Sequence, residues 1–169
     1  MTSATVLNDL SKWLAATALS HTIQTTSWVI PALQTIHILC VAVLFSAALL
    51  VDLRIWRLLQ RDVELSEVGQ RFLPLVWAIV PILLITGSLL IVGEPRRSLL
   101  NTTFFLKMAL LAFALVLTGF LQWSLSSAPG FWDQGTGRRL AGRLAATVSI
   151  LTWSGIIFAG RFIAYTQGG

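Results

Sequence analysis

Charge is the first thing this sequence is short of. Asp, Glu, Lys and Arg make up 11% of its 169 residues, where a soluble domain carries roughly a quarter. The deficit is concentrated in four long stretches almost free of charge, the pattern of a chain solvated by lipid rather than water. Cysteine is nearly absent as well. Cys40 stands alone inside one of these stretches, which excludes an intrachain disulfide. Cys40 with His37 offers two ligands at most, short of a closed zinc site, so the thiol reads as a small core hydrophobe. No Walker loop, GxSxG, HExxH or CxxC occurs, and the ATPase, hydrolase and zinc-enzyme classes lose their support. The formal net charge of +5 does not point to nucleic acid, because no basic face with interleaved aromatics lies outside the apolar stretches. The arginines flank those stretches instead, where anionic lipid headgroups would meet them.

What is present fits an all-α, four-transmembrane-helix bundle forming one integral membrane domain over residues 1–169. The spans are expected at about 28–51, 72–92, 104–123 and 144–165, each near the ~20 residues that cross a ~30 Å hydrocarbon core. Trp28, Trp123 and Tyr165 mark span ends as belt residues. Pro31 falls in the first turn of its span, where a missing N–H costs least, whereas Pro81 in mid-span predicts a kink. Residues 4–19 place Leu7, Leu10, Leu14 and Ala18 at helical spacing but are too polar to span. They are expected to form a short amphipathic interfacial helix anchored by Trp13. Residues 1–25 hold one Lys and no sustained apolar core, so no cleavable signal peptide is expected and the first span acts as insertion signal. The connection at 124–143, rich in Gly, Ser and Pro, is the most loop-like segment. No repeat relates the two halves, so an inverted-repeat transporter is not indicated.

Arg54, Arg57, Arg61, Arg71, Arg138, Arg139 and Arg143 occupy the first and third connections. Lys12, Arg96, Arg97, Lys107 and Arg161 belong to the other side. The positive-inside rule then puts both termini outward, into a periplasm if the membrane is a bacterial inner membrane.

Ionisable groups inside spans cost about 2.5–3.5 kcal/mol for Lys or Arg at the centre and default to a functional hypothesis. His37, Lys107 and Arg161 qualify, and the alternating span directions put all three in the same half of the bilayer, with Glu94 ending span two there. His37 is deepest, roughly 13 Å in from Trp28 at helical rise. Gln34 and Cys40 share its face. A neutral imidazole there can ligate iron or copper, or relay a proton, or it can hydrogen-bond a neighbouring helix as packing glue. Lys107 and Arg161 either snorkel to the headgroups or pair with the carboxylates of an anionic ligand. Asp52 and Arg54 in LVDLR read as a local interfacial pair.

PALQTIHILCVAVLFSAALLVDLRIW, FFLKMALLAFALVL and SILTWSGIIFAGRFIAY resemble an uncharacterised bacterial family of four-span integral membrane proteins over roughly Trp28 to Tyr165. More distantly, the His-bearing first span and the Lys that opens a later one are similar to HemJ-type protoporphyrinogen oxidase and the copper-resistance protein D group. That likeness implies haem b bound by His37, which would be the metal ligand, with Lys107 needed for activity. The second His that often closes the Lys-bearing span in the HemJ type is replaced here by Gln122 and Trp123. Three expectations follow. The first is a haem-b or porphyrin-binding redox protein with His37, Gln34, Lys107 and Arg161 as the cofactor site. The second is a non-catalytic structural or accessory subunit of a larger membrane complex, or a homo-oligomer. The third is a copper or small-solute conduit.

Overall fold

A computed structural model describes residues 3–59, 62, 64–127 and 135–163. Its helices are α1 (Ser3–Ala15), α2 (Ala18–Thr25), α3 (Val29–Ile55), α4 (Leu65–Gly93), α5 (Pro95–Leu99), α6 (Thr102–Ser127) and α7 (Thr136–Phe162), and the described residues include no strand. Four of them, α3, α4, α6 and α7, are long and apolar enough to cross a bilayer. No more than 33% of the most apolar stretch of any of them is buried inside the bundle. The remaining apolar surface needs lipid as its solvent, and the chain is a multi-pass membrane protein on that ground.

The interior is built by one stripe per helix at steps of three or four residues. On α3 it runs Cys40, Leu44, Ala47, Val51, Ile55; on α4 Leu65, Gly69, Leu73, Val76, Val80, Leu83; on α6 Leu111, Ala114, Thr118, Leu121, Leu125; and on α7 Gly142, Ala146, Ser149, Trp153, Ile156. Steps of this kind keep a narrow seam facing a neighbouring helix at a shallow crossing angle. The helices form a ring in which α3 touches α4 and α7, and α6 touches α7 and α4. α3 and α6 therefore face each other across one diagonal, and α4 and α7 across the other. With lipid outside, close packing rather than release of water holds such a ring together. Lipid-facing hydroxyls make no demand on a neighbour: Thr35, Ser46 and Thr147 each donate to the carbonyl four residues back, at 2.8 Å.

The helices outrun the expected spans. α4 begins at Leu65 rather than Phe72, and α7 at Thr136 rather than Leu144. The apolar runs measure only the length of chain in hydrocarbon. Helix formation continues into the headgroup layer wherever propensity permits, as Arg138, Arg139, Leu140 and Ala141 do at the start of α7. The connection expected at 124–143 is helical at both its ends in consequence. Pro74 and Pro81 both lie inside α4, which runs through them unbroken. Trp28 and Trp123 are well exposed, as belt residues should be; Tyr165 lies outside the described residues.

The amino-terminal segment differs from the single helix expected over 4–19. Thr17 ends one helix and starts the next: its hydroxyl donates to the Leu14 carbonyl at 2.7 Å and accepts the Ser20 N–H at 3.3 Å. That is the dual use that makes threonine a cap rather than a helix-interior residue. Val6, Leu10 and Trp13 stay exposed along one face of α1, which suits an interfacial position. α2 instead docks on protein. Ser20 donates to the Val92 carbonyl at 2.7 Å and Gln24 to that of Gly93 at 3.0 Å, so the terminal carbonyls of α4 are capped by side chains from another helix. A Cβ on Gly93 would sit 2.8 Å from Ile23 Cγ2, a distance only glycine avoids.

At the opposite end of the bundle, α3 closes with a Schellman turn. Leu58 N–H bonds to the Leu53 carbonyl at 3.0 Å and Arg57 N–H to that of Arg54 at 2.9 Å. The left-handed position belongs to Arg57, φ 60°. Glycine is the usual occupant, and a side chain there costs about 1 kcal/mol.

Candidate functional site

Each interior stripe, extended one step toward the end that carries the termini, arrives at a residue of the site. Three before Cys40 is His37, three after Leu83 is Thr86, four before Leu111 is Lys107, and four after Ile156 is Gly160. The four helices thus deliver these residues to the bundle axis at similar depth. His37 Nδ1 lies 3.0 Å from Thr86 Oγ1, and His37 Nε2 lies 3.4 Å from Lys107 Nζ. The histidine–lysine contact crosses the α3–α6 diagonal. Gly87 backs the imidazole so closely that a Cβ there would meet Cε1 at 3.3 Å. Gly160 gives Lys107 its wall, at 3.8 Å from Cε and Nζ in the same sense.

The direction of the hydrogen bonds follows from the inventory of donors. Thr86 is only 5% exposed, and its hydroxyl donates to the Ile82 carbonyl at 2.8 Å, with that of Leu83 at 3.2 Å. Its oxygen is then left to accept from Nδ1–H. With Nδ1 protonated, Nε2 accepts from Lys107 through a contact longer than the usual hydrogen-bond range. The chain reads Lys107 to His37 to Thr86 to a backbone carbonyl of α4. Every polar atom of the imidazole is used, which is the requirement for a polar side chain away from water.

Of the four residues expected at a cofactor site, the structure joins His37 and Lys107. Gln34 lies one turn nearer the membrane surface on α3 and is half-buried. Arg161 faces outward, because Gly160 occupies the inner position and the next residue of a helix lies about 100° away. Glu94 does not reach the node either; it pairs with Arg97 at 2.8 Å within its own turn. Sequence reasoning missed Thr86. Its spacing in the α4 stripe was the available signal. The fit to haem turns on the imidazole. Both its nitrogens are engaged, and Gly87 covers one edge, so His37 as arranged offers no nitrogen to iron. The only other histidine of the sequence, His21, is exposed on α2.

A second polar group lies at the other end. Asp52 is 1% exposed, lies four residues past the buried Ala48 on α3, and takes a hydrogen bond from Ser149 of α7. The interfacial Asp52–Arg54 pair expected from LVDLR gives way to this interhelical one. Oδ2 of Asp52 and Nε1 of the buried Trp153, one turn from Ser149, have no hydrogen-bond partner among the described residues. Thr118, Ser124 and Thr152 are buried as well. Between the two polar groups lies an apolar layer that includes Leu44, Ala47, Val76, Val80, Ala114 and Trp153. On the flank of the bundle, the Trp77 indole N–H donates to the side-chain carbonyl of Gln122, tying α4 to α6.

These features define a polytopic α-helical membrane protein with a buried polar node at one end. Residues 11–166 match the model of DUF6644, a family of unknown function, and the chain belongs to that family. No curated protein and no solved structure matches it, so these comparisons supply no link to the HemJ-type oxidase or the copper-resistance group.

Proposed function

We propose that this chain is a non-catalytic membrane subunit, a bundle locked by its polar node that serves as a structural or accessory part of a larger membrane assembly. The observation that carries this reading is where the hydrogen-bond chain ends. Lys107, His37 and Thr86 lead to the Ile82 carbonyl, which has no proton to pass on and none to take. A relay needs an exchangeable group at each end; a clamp does not. The apolar layer between the two polar groups likewise argues against a copper or solute path across the membrane. Haem b or a porphyrin, with Lys107 and Arg161 on its carboxylates, would require Lys107 to leave Nε2 and Arg161 to turn inward. The arginine distribution supports an orientation with both termini away from the cytoplasm, in the periplasm if the membrane is a bacterial inner membrane.

The test is an absorption spectrum and metal analysis of the protein purified in mild detergent, together with its native mass. The expected result is a colourless, metal-free preparation in a complex that persists when His37 is replaced by Ala. A Soret band that disappears in His37→Ala would overturn the proposal in favour of a haem protein.

A further inference from the structure

The Schellman turn that ends α3 places an arginine where the backbone favours glycine. Strain of this kind is kept where the side chain has a task. Here that side chain lines a cleft of about 460 Å³, with Arg54, Trp56 and Arg143. A smaller, more enclosed depression that shares Arg54, Arg57 and Arg143 with it adds Arg139, next to Gly142 of α7. Arg54 is 7% exposed, an unusual depth for a guanidinium. The Arg143 guanidinium lies over the Trp56 ring, 5.6 Å from its centroid, which fixes its plane.

We infer that this cleft binds a phosphate group, held by Arg54, Arg57 and Arg143 against the wall of Trp56. The chemistry of the lining selects the ligand. Guanidinium forks match phosphate oxygens two at a time, and arginine rather than lysine is the residue for that geometry. Both lysines of the sequence, Lys12 and Lys107, lie elsewhere. A guanidinium carries five N–H donors, so one already bonded within the protein keeps others for an anion. Among the described carboxylates of this region, Asp52 takes its hydrogen bond from Ser149 and Glu64 accepts from Ser66 at 3.2 Å. The cleft sits where α3 leaves the hydrocarbon, the level of lipid phosphates, and is also open to free phosphate. The inference is independent of the node at the other end of the bundle.

The experiment measures thermal unfolding of the full chain in an uncharged maltoside at constant ionic strength, with added phosphatidylglycerol or inorganic phosphate and with chloride as control. The parent protein is expected to gain several degrees in Tm with a saturable dose response. Arg143→Gln should shift the midpoint of that response at least tenfold. Arg57→Gly is the sharper variant, since it relieves the turn: it should unfold at a higher temperature than the parent without ligand and still lose the response. Arg71→Gln, whose guanidinium lies over Phe72, should retain it. A response to the lipid alone identifies a headgroup as the ligand, and a response to both identifies free phosphate; either supports the site. A parent that does not respond, or variants at Arg57 and Arg143 that respond like the parent, would overturn it.

Discussion

The two ends of the bundle solve the same problem in different ways. At the end bearing the termini, one imidazole has both nitrogens satisfied, and the glycine behind it makes room for the ring. At the arginine-rich end, the buried Asp52 carboxyl has one bonded oxygen and one without a partner among the described residues. A completed network rigidifies a packed interior, whereas an incomplete one is where a structure is most sensitive to change. The first end is a fastener whose imidazole is fully engaged. The second is an interior carboxyl beneath a basic cleft, and it is the end that faces a ligand.

That contrast can be broken most forcefully at His37. Replacing it with Ala removes two hydrogen bonds and leaves a cavity. Intramembrane hydrogen bonds contribute roughly 0.6–1.7 kcal/mol each, and the cavity adds to that, so the expected loss is about 3 kcal/mol. Reversible unfolding in mixed micelles measures it, and a variant within 0.5 kcal/mol of its parent on that scale would remove the node's role as a clamp. At the other end, Ser149→Ala leaves the Asp52 carboxyl without its donor. The expected cost is about 1 kcal/mol in the same assay, the net worth of an intramolecular hydrogen bond; no loss would show that Ser149 contributes nothing to holding Asp52. The smallest effect belongs to the flank. Trp77→Phe deletes the indole donor to Gln122 and keeps most of the ring, for about 0.6 kcal/mol. A loss as large as that of His37→Ala would dissolve the distinction between axis and surface.

Much of this was legible in the sequence, and for a physical reason. Lipid imposes one rule on every backbone polar group, so long apolar runs can only be helices, and four runs give four spans. The depth of His37 and Lys107 followed from counting residues at a fixed rise. Arg161 shows where counting fails. Depth along the axis was right to within a residue, but Gly160 and Arg161 differ by about 100° in direction, and only one of them faces the bundle. Thr86 was hidden by its neutrality, since a hydroxyl that bonds its own helix leaves no charge signal. Asp52 was misplaced because its neighbours are arginines. Proximity in sequence suggested a local pair, while four-residue steps through Cys40, Leu44 and Ala48 reach Asp52 and carry the carboxyl toward α7. The break at Thr17 is a matter of two hydrogen bonds, too local for periodicity to register.

The capping of α4 by α2 also bears on the order in which the protein can be assembled. Ser20 and Val92 are separated by 72 positions in the chain. Synthesis runs from the amino terminus, so α2 exists well before the carbonyls it covers, and it must wait at the membrane surface while two spans enter. The docked α2 thus records that the second crossing has been completed, and this helix reaches its final position later than residues made long after it.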